Sequence, residues 1–476
     1  MQSRLRWLQL GLSVVVALNA VLAAGLTEPK EIPIPPIQTP MGPLPGPADL
    51  PARPGLPDVL RGATGAQVTS ARDWPARRAE LLRTLEYYAV GQAPPSPGNV
   101  KGRVVKTQEL NGGTALYRLV HLTFGPEEKL SLDLGIYTPA GPGPFPAVIS
   151  PSGTPPGAAP LPRLPNGPTQ GRGVNVPLVV GGGDSSGSLS TTPGTIASET
   201  TAKAARGGGR GGPVDPERIA ATNPALARGY AYVVFNNNDC GEDTTLRNPD
   251  GSWAFRNTRF FPAYPNYDWG LLRSWAWGVS RIVDYLEQDS RIDAGKLIVT
   301  GASRTGKSAM VAAAFDERLA MGAPVVTGGG GIGTYRHAGP RRSETLDIMV
   351  TKYPNWFSPH LHAFRGQREK LPFDEHWFLA ACAPRPFLAL EGDADVISLP
   401  EAVRQSIEAA RPAYELLGAS DRLAAHYAPH AHAFTNDDWA ALLDFADWHL
   451  RGKKTDRKFN RFPTEAELDA ALQRKG

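Results

Sequence analysis

From Tyr230 onward the chain alternates short apolar runs with longer segments of helical period, a rhythm that few folds accommodate. YAYVVFN at Tyr230–Asn236 reads as a strand. Asp268–Glu287 reads as a helix, with Trp275, Val279, Ile282, Val283 and Leu286 on one stripe. Strand-like runs at Lys296–Thr300, Gly322–Val326, Pro386–Leu390 and Ala424–Ala428 interleave with helical stretches at Arg304–Phe315, Glu375–Cys382, Pro400–Leu417 and Asp437–Leu450. Strands separated by helices pair in parallel, and continuous apolar strands need cover on both faces. Upstream, Trp74–Val90 carries Leu81, Leu82, Leu85 and Tyr88 at helical spacing, while Ala115–Phe124, Leu130–Thr138 and Phe145–Ser150 read as further strands. One α/β domain over residues 71–452 accounts for the pattern.

Other segments fall outside that domain. Residues 1–24 have Arg4 and Arg6 ahead of an apolar run that ends in small residues at Ala23 and Ala24, the layout of a signal peptide. Export to the periplasm or the medium follows; an uncleaved anchor is the other reading. Residues 25–70 are dense in proline, which forbids helix and favours an extended linker. Residues 151–213, rich in Gly, Pro, Ser and Thr, read as a surface insertion, and 453–476 as a C-terminal tail. The ARGGGRGGP stretch at 205–213 lacks the aromatic interleaving of an RNA-binding segment.

The balance of 50 basic against 46 acidic residues gives no global field that would recruit nucleic acid. Two cysteines, Cys240 and Cys382, rule out a cysteine-rich metal site and read as buried thiols.

The chemistry concentrates in LIVTGASRTGKSAM, Leu297–Met310. Gly301, Gly306, Lys307 and Ser308 satisfy the spacing of a phosphate-binding loop. The same stretch puts Ser303 at a strand-to-helix turn between small residues, where hydrolases expose a nucleophile, although Thr305 stands at the second glycine of the usual motif. A phosphate loop ordinarily follows the first strand of its domain, whereas several strands precede Gly301, and an exported chain meets little ATP. A nucleophilic serine needs a histidine and an orienting carboxylate, in the order serine, acid, histidine after late strands. Asp395, with Asp393 as its competitor, follows the Pro386–Leu390 strand; His432, with His430 as its rival, follows Ala424–Ala428. The H-x-H pair has no further ligands at metal-binding spacing, so no metal is expected.

GASRTGK at Gly301–Lys307 resembles the G-C-S-R-x-G-K signature of glucuronoyl esterases, carbohydrate esterase family 15. SWAWGVSRIVDYLE, AAAFDERLA, YPNWF, LPFDEHWFLAACAPRP and PHAHAF extend the resemblance over about residues 71–452. It implies an α/β-hydrolase three-layer sandwich with a mostly parallel central sheet. It also implies Ser303 as nucleophile, His432 as base and Arg304 at the oxyanion, with Lys307 meeting sugar hydroxyls. Glu344 in RRSETLDI reads as a further substrate-binding residue facing a sugar hydroxyl, with a solvated surface role as the alternative, and Trp356 in YPNWF as a substrate-binding or a core residue. Fungal members carry the triad acid soon after the serine. Val326 stands at that place here, which leaves Asp395, the alternative position of many bacterial members. The family's disulfide beside the serine is absent, its positions being Ala302 and Ala433, and a tryptophan that packs on the uronic acid is Val396.

The expectation is a monomeric serine esterase, free of cofactor, metal, nucleotide and nucleic acid. It would cleave the ester of a glucuronic acid or 4-O-methyl-glucuronic acid side chain of xylan, as in lignin–carbohydrate esters. The alternatives are an acetyl-xylan or other carbohydrate esterase, a non-catalytic polysaccharide-binding relative, and the nucleotide hydrolase.

Overall fold

A computed structural model describes residues 39–167, 179–180, 215–337, 341–342 and 344–473, the two short pairs as backbone. Its strands are β1 (Lys101–Leu110), β2 (Ala115–Phe124), β3 (Leu130–Pro139), β4 (Phe145–Pro151), β5 (Val179–Val180), β6 (Ala231–Phe235), β7 (Ile292–Ala302), β8 (Leu319–Val325), β9 (Arg341–Arg342), β10 (Phe387–Gly392) and β11 (Leu423–Ala428). Nine of them form one sheet in the order β1-β2-β3-β6-β4-β7-β8-β10-β11, and β5 pairs with β9 apart from it. From β6 to β11 every neighbour is parallel; β1, β2 and β3 join antiparallel.

Helices cover both faces, as unbroken apolar strands require. On one face Ala441, Leu442, Phe445 and Ala446 of the helix Asn436–Arg451 share a core with Ile298, Met321, Leu388 and Ala424. On the other, the helices Leu271–Leu286 and Arg304–Phe315 pack together, joined by His376–Cys382 and Pro400–Leu416. Gly322 lets that layer close, since a Cβ there would stand 2.8 Å from the Cβ of Ala313. This is the three-layer α/β-hydrolase architecture. Among the described residues no helix is long and apolar enough to cross a membrane.

Some details depart from expectation. The helix expected from Asp268 begins instead at Leu271, after an extended Gly270, and the backbone N–H groups of Gly270, Leu271 and Leu272 donate to Val90 O (2.9 Å), Asn355 O (3.0 Å) and Trp356 O (3.2 Å). The first helix is α-helical over Trp74–Thr84 and widens into π turns over Leu85–Val90. Strand β1 was unforeseen. It is exposed along nearly its whole length, and its lysines and arginine suit an edge that must not recruit a further strand.

The expected linker needs a correction over its described part. Residues 39–70 are extended but docked: the Tyr88 hydroxyl donates to Pro45 O (2.6 Å), and His376 Nε2 and Trp377 Nε1 donate to Pro57 O (2.8 and 3.2 Å). Arg53 N donates to Glu369 O at 2.6 Å, and Val59 is buried. Proline removes a donor but leaves its carbonyl, so a proline-rich strand is held by donors from the body. The C-terminal tail is docked likewise. Asn460 brackets Ala425 on β11 with two hydrogen bonds (2.8 and 2.9 Å), and Leu468 and Ala471 of the helix Glu465–Gln473 are buried. Residues 151–167 of the expected insertion are tied down through Tyr117 Oη to Pro156 O and Thr244 Oγ1 to Pro165 O, both at 2.7 Å. The signal peptide and the arginine–glycine stretch lie outside the described residues.

The chain runs from β4 to β6 on one side and from β7 to β8 on the other. The carboxyl ends of β4 and β7 are therefore the switch point of the sheet, the place where open α/β sheets bind ligands. Parallel pairing carries the ends of β7, β10 and β11 to that same edge.

Candidate active site

Strand β7 ends at Ala302 and a helix starts at Arg304, leaving Ser303 alone to reverse the chain. Its backbone sits at φ 56°, ψ −126°, a conformation that costs a residue with a Cβ on the order of 1–3 kcal/mol. The flanking glycines are required sterically. A Cβ on Gly301 would lie 2.7 Å from Thr305 O, and one on Gly306 2.7 Å from Gly301 O. Thr305, the departure from the usual motif, explains itself: its hydroxyl donates to Ala302 O (2.9 Å) and accepts from Ala302 N (3.1 Å), clasping the turn from within. Backbone amides of Ser303 and Lys307 are engaged inside the protein, donating to Val325 O and Ser303 O at 2.9 Å.

The carboxylate that meets His432 is that of Asp395, with Oδ2 2.7 Å from Nδ1. Asp395 is almost fully buried and anchored further by Ile397 N (2.8 Å), Ser398 N (3.2 Å) and Ser398 Oγ (2.9 Å). Burial alone would raise its pKa. The His432 hydrogen bond and charge, with the Ile397 and Ser398 donors, outweigh burial and hold it below the ordinary range. It is therefore ionised at neutral pH, which makes Nδ1 the donor and leaves Nε2 as the basic nitrogen. His430 is engaged elsewhere, its Nε2 3.1 Å from Asp438. Among the described residues no three His, Cys, Asp or Glu side chains converge as metal ligands.

Arg304, at the first turn of the helix, is half-exposed, and its guanidinium is held by Asp243 at 2.5 Å. The same Asp243 carboxylate accepts Trp356 Nε1 (2.7 Å) and Asn355 Nδ2 (3.1 Å). Trp356 stacks on Tyr353 with ring centres 4.0 Å apart, and the Arg304 guanidinium lies 5.4 Å from its ring centre. Trp356 is thus buried and forms a platform under the arginine rather than an open sugar-binding face.

Lys307 departs further from expectation. It is 1% exposed, and its ammonium donates to Thr327 O, to Gly329 O (2.7 Å) and to Glu344 Oε2 (2.7 Å). Those contacts engage all three of its N–H bonds, so neither a sugar hydroxyl nor a phosphate finds a free donor there. The lysine instead fixes the glycine-rich turn after β8 and the carboxylate of Glu344. Val326, at the fungal acid position, is buried and holds φ 44°, a left-handed conformation rare for a β-branched residue.

Two residues escaped the sequence reading. Asp243 sits in NNNDCGED after β6, where only its position past a strand end could have marked it. Glu391, the penultimate residue of β10, is fully buried, and burial together with Asp395 and Asp438 pushes its carboxyl well above the ordinary range.

The sequence model of the fungal glucuronyl esterases matches residues 211–418. The chain is 27% identical over 426 residues to the carbohydrate esterase MZ0003 of an unknown prokaryotic organism, covering 83% of this chain and 90% of that relative. It is also 27% identical over 406 residues to the 4-O-methyl-glucuronoyl methylesterase of Neurospora crassa, covering 83% and 82%. Among solved structures, a promiscuous CE15 esterase from a marine bacterial metagenome has a TM-score of 0.63 at 27% identity, covering 85% of this chain and 98% of that one. The glucuronoyl esterase from Solibacter usitatus has a TM-score of 0.61 at 25% identity, covering 84% and 99%.

Proposed function

The chain belongs to the glucuronoyl esterases of carbohydrate esterase family 15, and from that premise we propose how its residues hydrolyse an ester of glucuronic acid. Ser303 Oγ attacks the C6 carbonyl carbon while His432 Nε2 takes the hydroxyl proton. Asp395 keeps the ring in that tautomer and offsets the charge it gains. The carbonyl oxygen becomes an oxyanion, met by the Arg304 backbone N–H at the helix start and by its permanently charged guanidinium. Collapse breaks the bond to the alcohol oxygen, which leaves with the proton from His432. Water then attacks the acyl-serine with His432 again as base, releasing the uronic acid and restoring Ser303.

The observation that carries this reading is the 2.7 Å hydrogen bond between Asp395 and His432, beyond strands whose carboxyl ends share an edge with the strained Ser303. The alcohol side is read as a lignin-type aryl-alkyl alcohol and the acid as a side chain of xylan. Glu344, braced by Lys307, supplies the acceptor for sugar hydroxyls. Export rests on the N-terminal segment alone, and cell fractionation tests it. The esterase reading is tested by rates on benzyl glucuronate and on acetylated xylan. Faster release of acetate would overturn it in favour of a broader carbohydrate esterase, the second reading, which Val396 at the fungal tryptophan position favours.

Arg304→Ala is expected to lower kcat about a hundredfold, the cost of one oxyanion donor, with KM little changed. Asp243→Asn, which leaves the arginine in place but frees it to swing, should lower kcat by about tenfold. Steady-state kinetics on benzyl glucuronate check both, and equal losses in the two variants would contradict a direct role for the guanidinium.

A further inference from the structure

We propose that His430, kept as the imidazolium, is a positioning residue for this reaction: it ties the turn carrying His432 to the start of the helix Asn436–Arg451 and to the turn carrying Asp395. The inference rests on the esterase reading for its kinetic consequence, though not for its structural content.

Both ring nitrogens of His430 face oxygens that can only accept. Nδ1 lies 2.6 Å from Ala431 O, and Nε2 lies 3.2 and 3.1 Å from the two carboxylate oxygens of Asp438. A neutral ring carries one N–H and would turn a lone pair toward one of these acceptors; the imidazolium satisfies both. Asp438 is itself fixed, for it closes the capping box of its helix by accepting Thr435 N (2.7 Å) and Thr435 Oγ1 (2.8 Å). One end of the contact is therefore rigid helix, and the other is the turn two residues before His432.

The backbone of His430 completes the tie. Its carbonyl accepts Ala394 N at 3.1 Å, next to Asp395, and its N–H donates to Ala428 O at 2.9 Å. The two turns approach so closely at Gly392 that a Cβ there would stand 2.3 Å from His430 O and 2.6 Å from Nδ1. The titratable groups around the ring are Asp438 in contact, Asp395 acting through space, and Glu391, whose carboxyl those two acids help to keep protonated; His432 follows two residues along the chain. Burial opposes charging of His430. The Asp438 hydrogen bond and field, the Ala431 carbonyl and Asp395 outweigh it, and the net shift is above the ordinary value.

Loss of that proton leaves one lone pair against an oxygen and loosens the turn. A histidine base displaced by a fraction of an ångström to 1 Å costs on the order of ten- to a hundredfold in rate. The test has two arms, both on the full chain. In ¹⁵N-histidine-labelled Ser303→Ala protein, NMR at pH 7 is expected to show His430 with both nitrogens protonated; a single neutral tautomer there would overturn the proposal whether or not the protein cleaves uronate esters. Wild-type kcat is expected to decline at alkaline pH as His430 loses its proton; in His430→Gln, kcat on the better of benzyl glucuronate and acetylated xylan should fall about tenfold or more with KM within about twofold, and that decline should be absent. A variant that melts like wild type yet keeps the wild-type kcat and alkaline limb would also overturn it. Should the variant fail to fold, the NMR arm decides alone.

Discussion

Replacing Ser303 by alanine is expected to lower kcat on benzyl glucuronate by about five to six orders of magnitude, leaving only what substrate binding and the oxyanion donors supply unaided. Its thermal midpoint should stay within about 1–2 °C of wild type, since alanine keeps the Cβ and removes only a partly exposed hydroxyl. Ser303→Gly separates chemistry from strain. Glycine relieves the φ 56° backbone, worth on the order of 1–3 kcal/mol, while adding about 0.5–1 kcal/mol of chain flexibility in the unfolded state. The glycine variant should therefore melt above the alanine variant, and both should be inactive. A glycine variant that melts below alanine would show that the bend holds no strain in solution. Activity retained by Ser303→Ala would remove the nucleophile from the scheme.

Asp395→Asn is the second large effect, expected near 10⁴-fold in kcat. The amide keeps the shape, and its oxygen can still accept from Ile397 and Ser398, so the fold should survive. Its NH₂ faces His432 Nδ1, however, and a donor there forces the ring into the tautomer whose Nε2 carries the proton. The base is then blocked rather than removed. The same change at Asp393 should cost less than about tenfold, and a reversal of that ranking would reassign the acid.

Stability follows the same carboxylate. Asp395 has a folded pKa below its unfolded value of about 4, so its contribution is present above that pH and lost as pH falls toward the folded value. Urea melts at pH 7 and pH 3 should show a smaller acid-induced loss in Asp395→Asn than in wild type. An equal loss in both would mean that the His432 contact contributes nothing to the acid limb.

How much of this could be read from residues alone varied with the physics involved. The elbow was legible because its constraints are local: small residues before Ser303 and a glycine after it are dictated by atoms within one turn. The alternating core was legible for the same reason, since burial on two faces writes itself into every parallel strand. Strand β1 was not, because an edge strand exposed on both faces carries no apolar period. Asp393 and Asp395 are equivalent in sequence, both following β10, and only the turn from Gly392 to Asp395 decides which carboxylate reaches the ring. Lys307 looked like a ligand-facing cation, yet its partners lie 20 to 37 residues away, a coincidence no local pattern records. The proline-rich stretch before Asp58 misled differently. Its composition specifies backbone shape, whereas docking depends on donors contributed by Tyr88, His376 and Trp377.

With Ala302 and Ala433 at the two positions where the family resemblance implies a disulfide, the serine and histidine turns of this chain are held by Thr305, Asp438 and close packing. Both of its thiols are free, buried and raised in pKa by that burial. The turns that carry Ser303, Asp395 and His432 are therefore held without a covalent cross-link, and reductant has no bridge among them to cut.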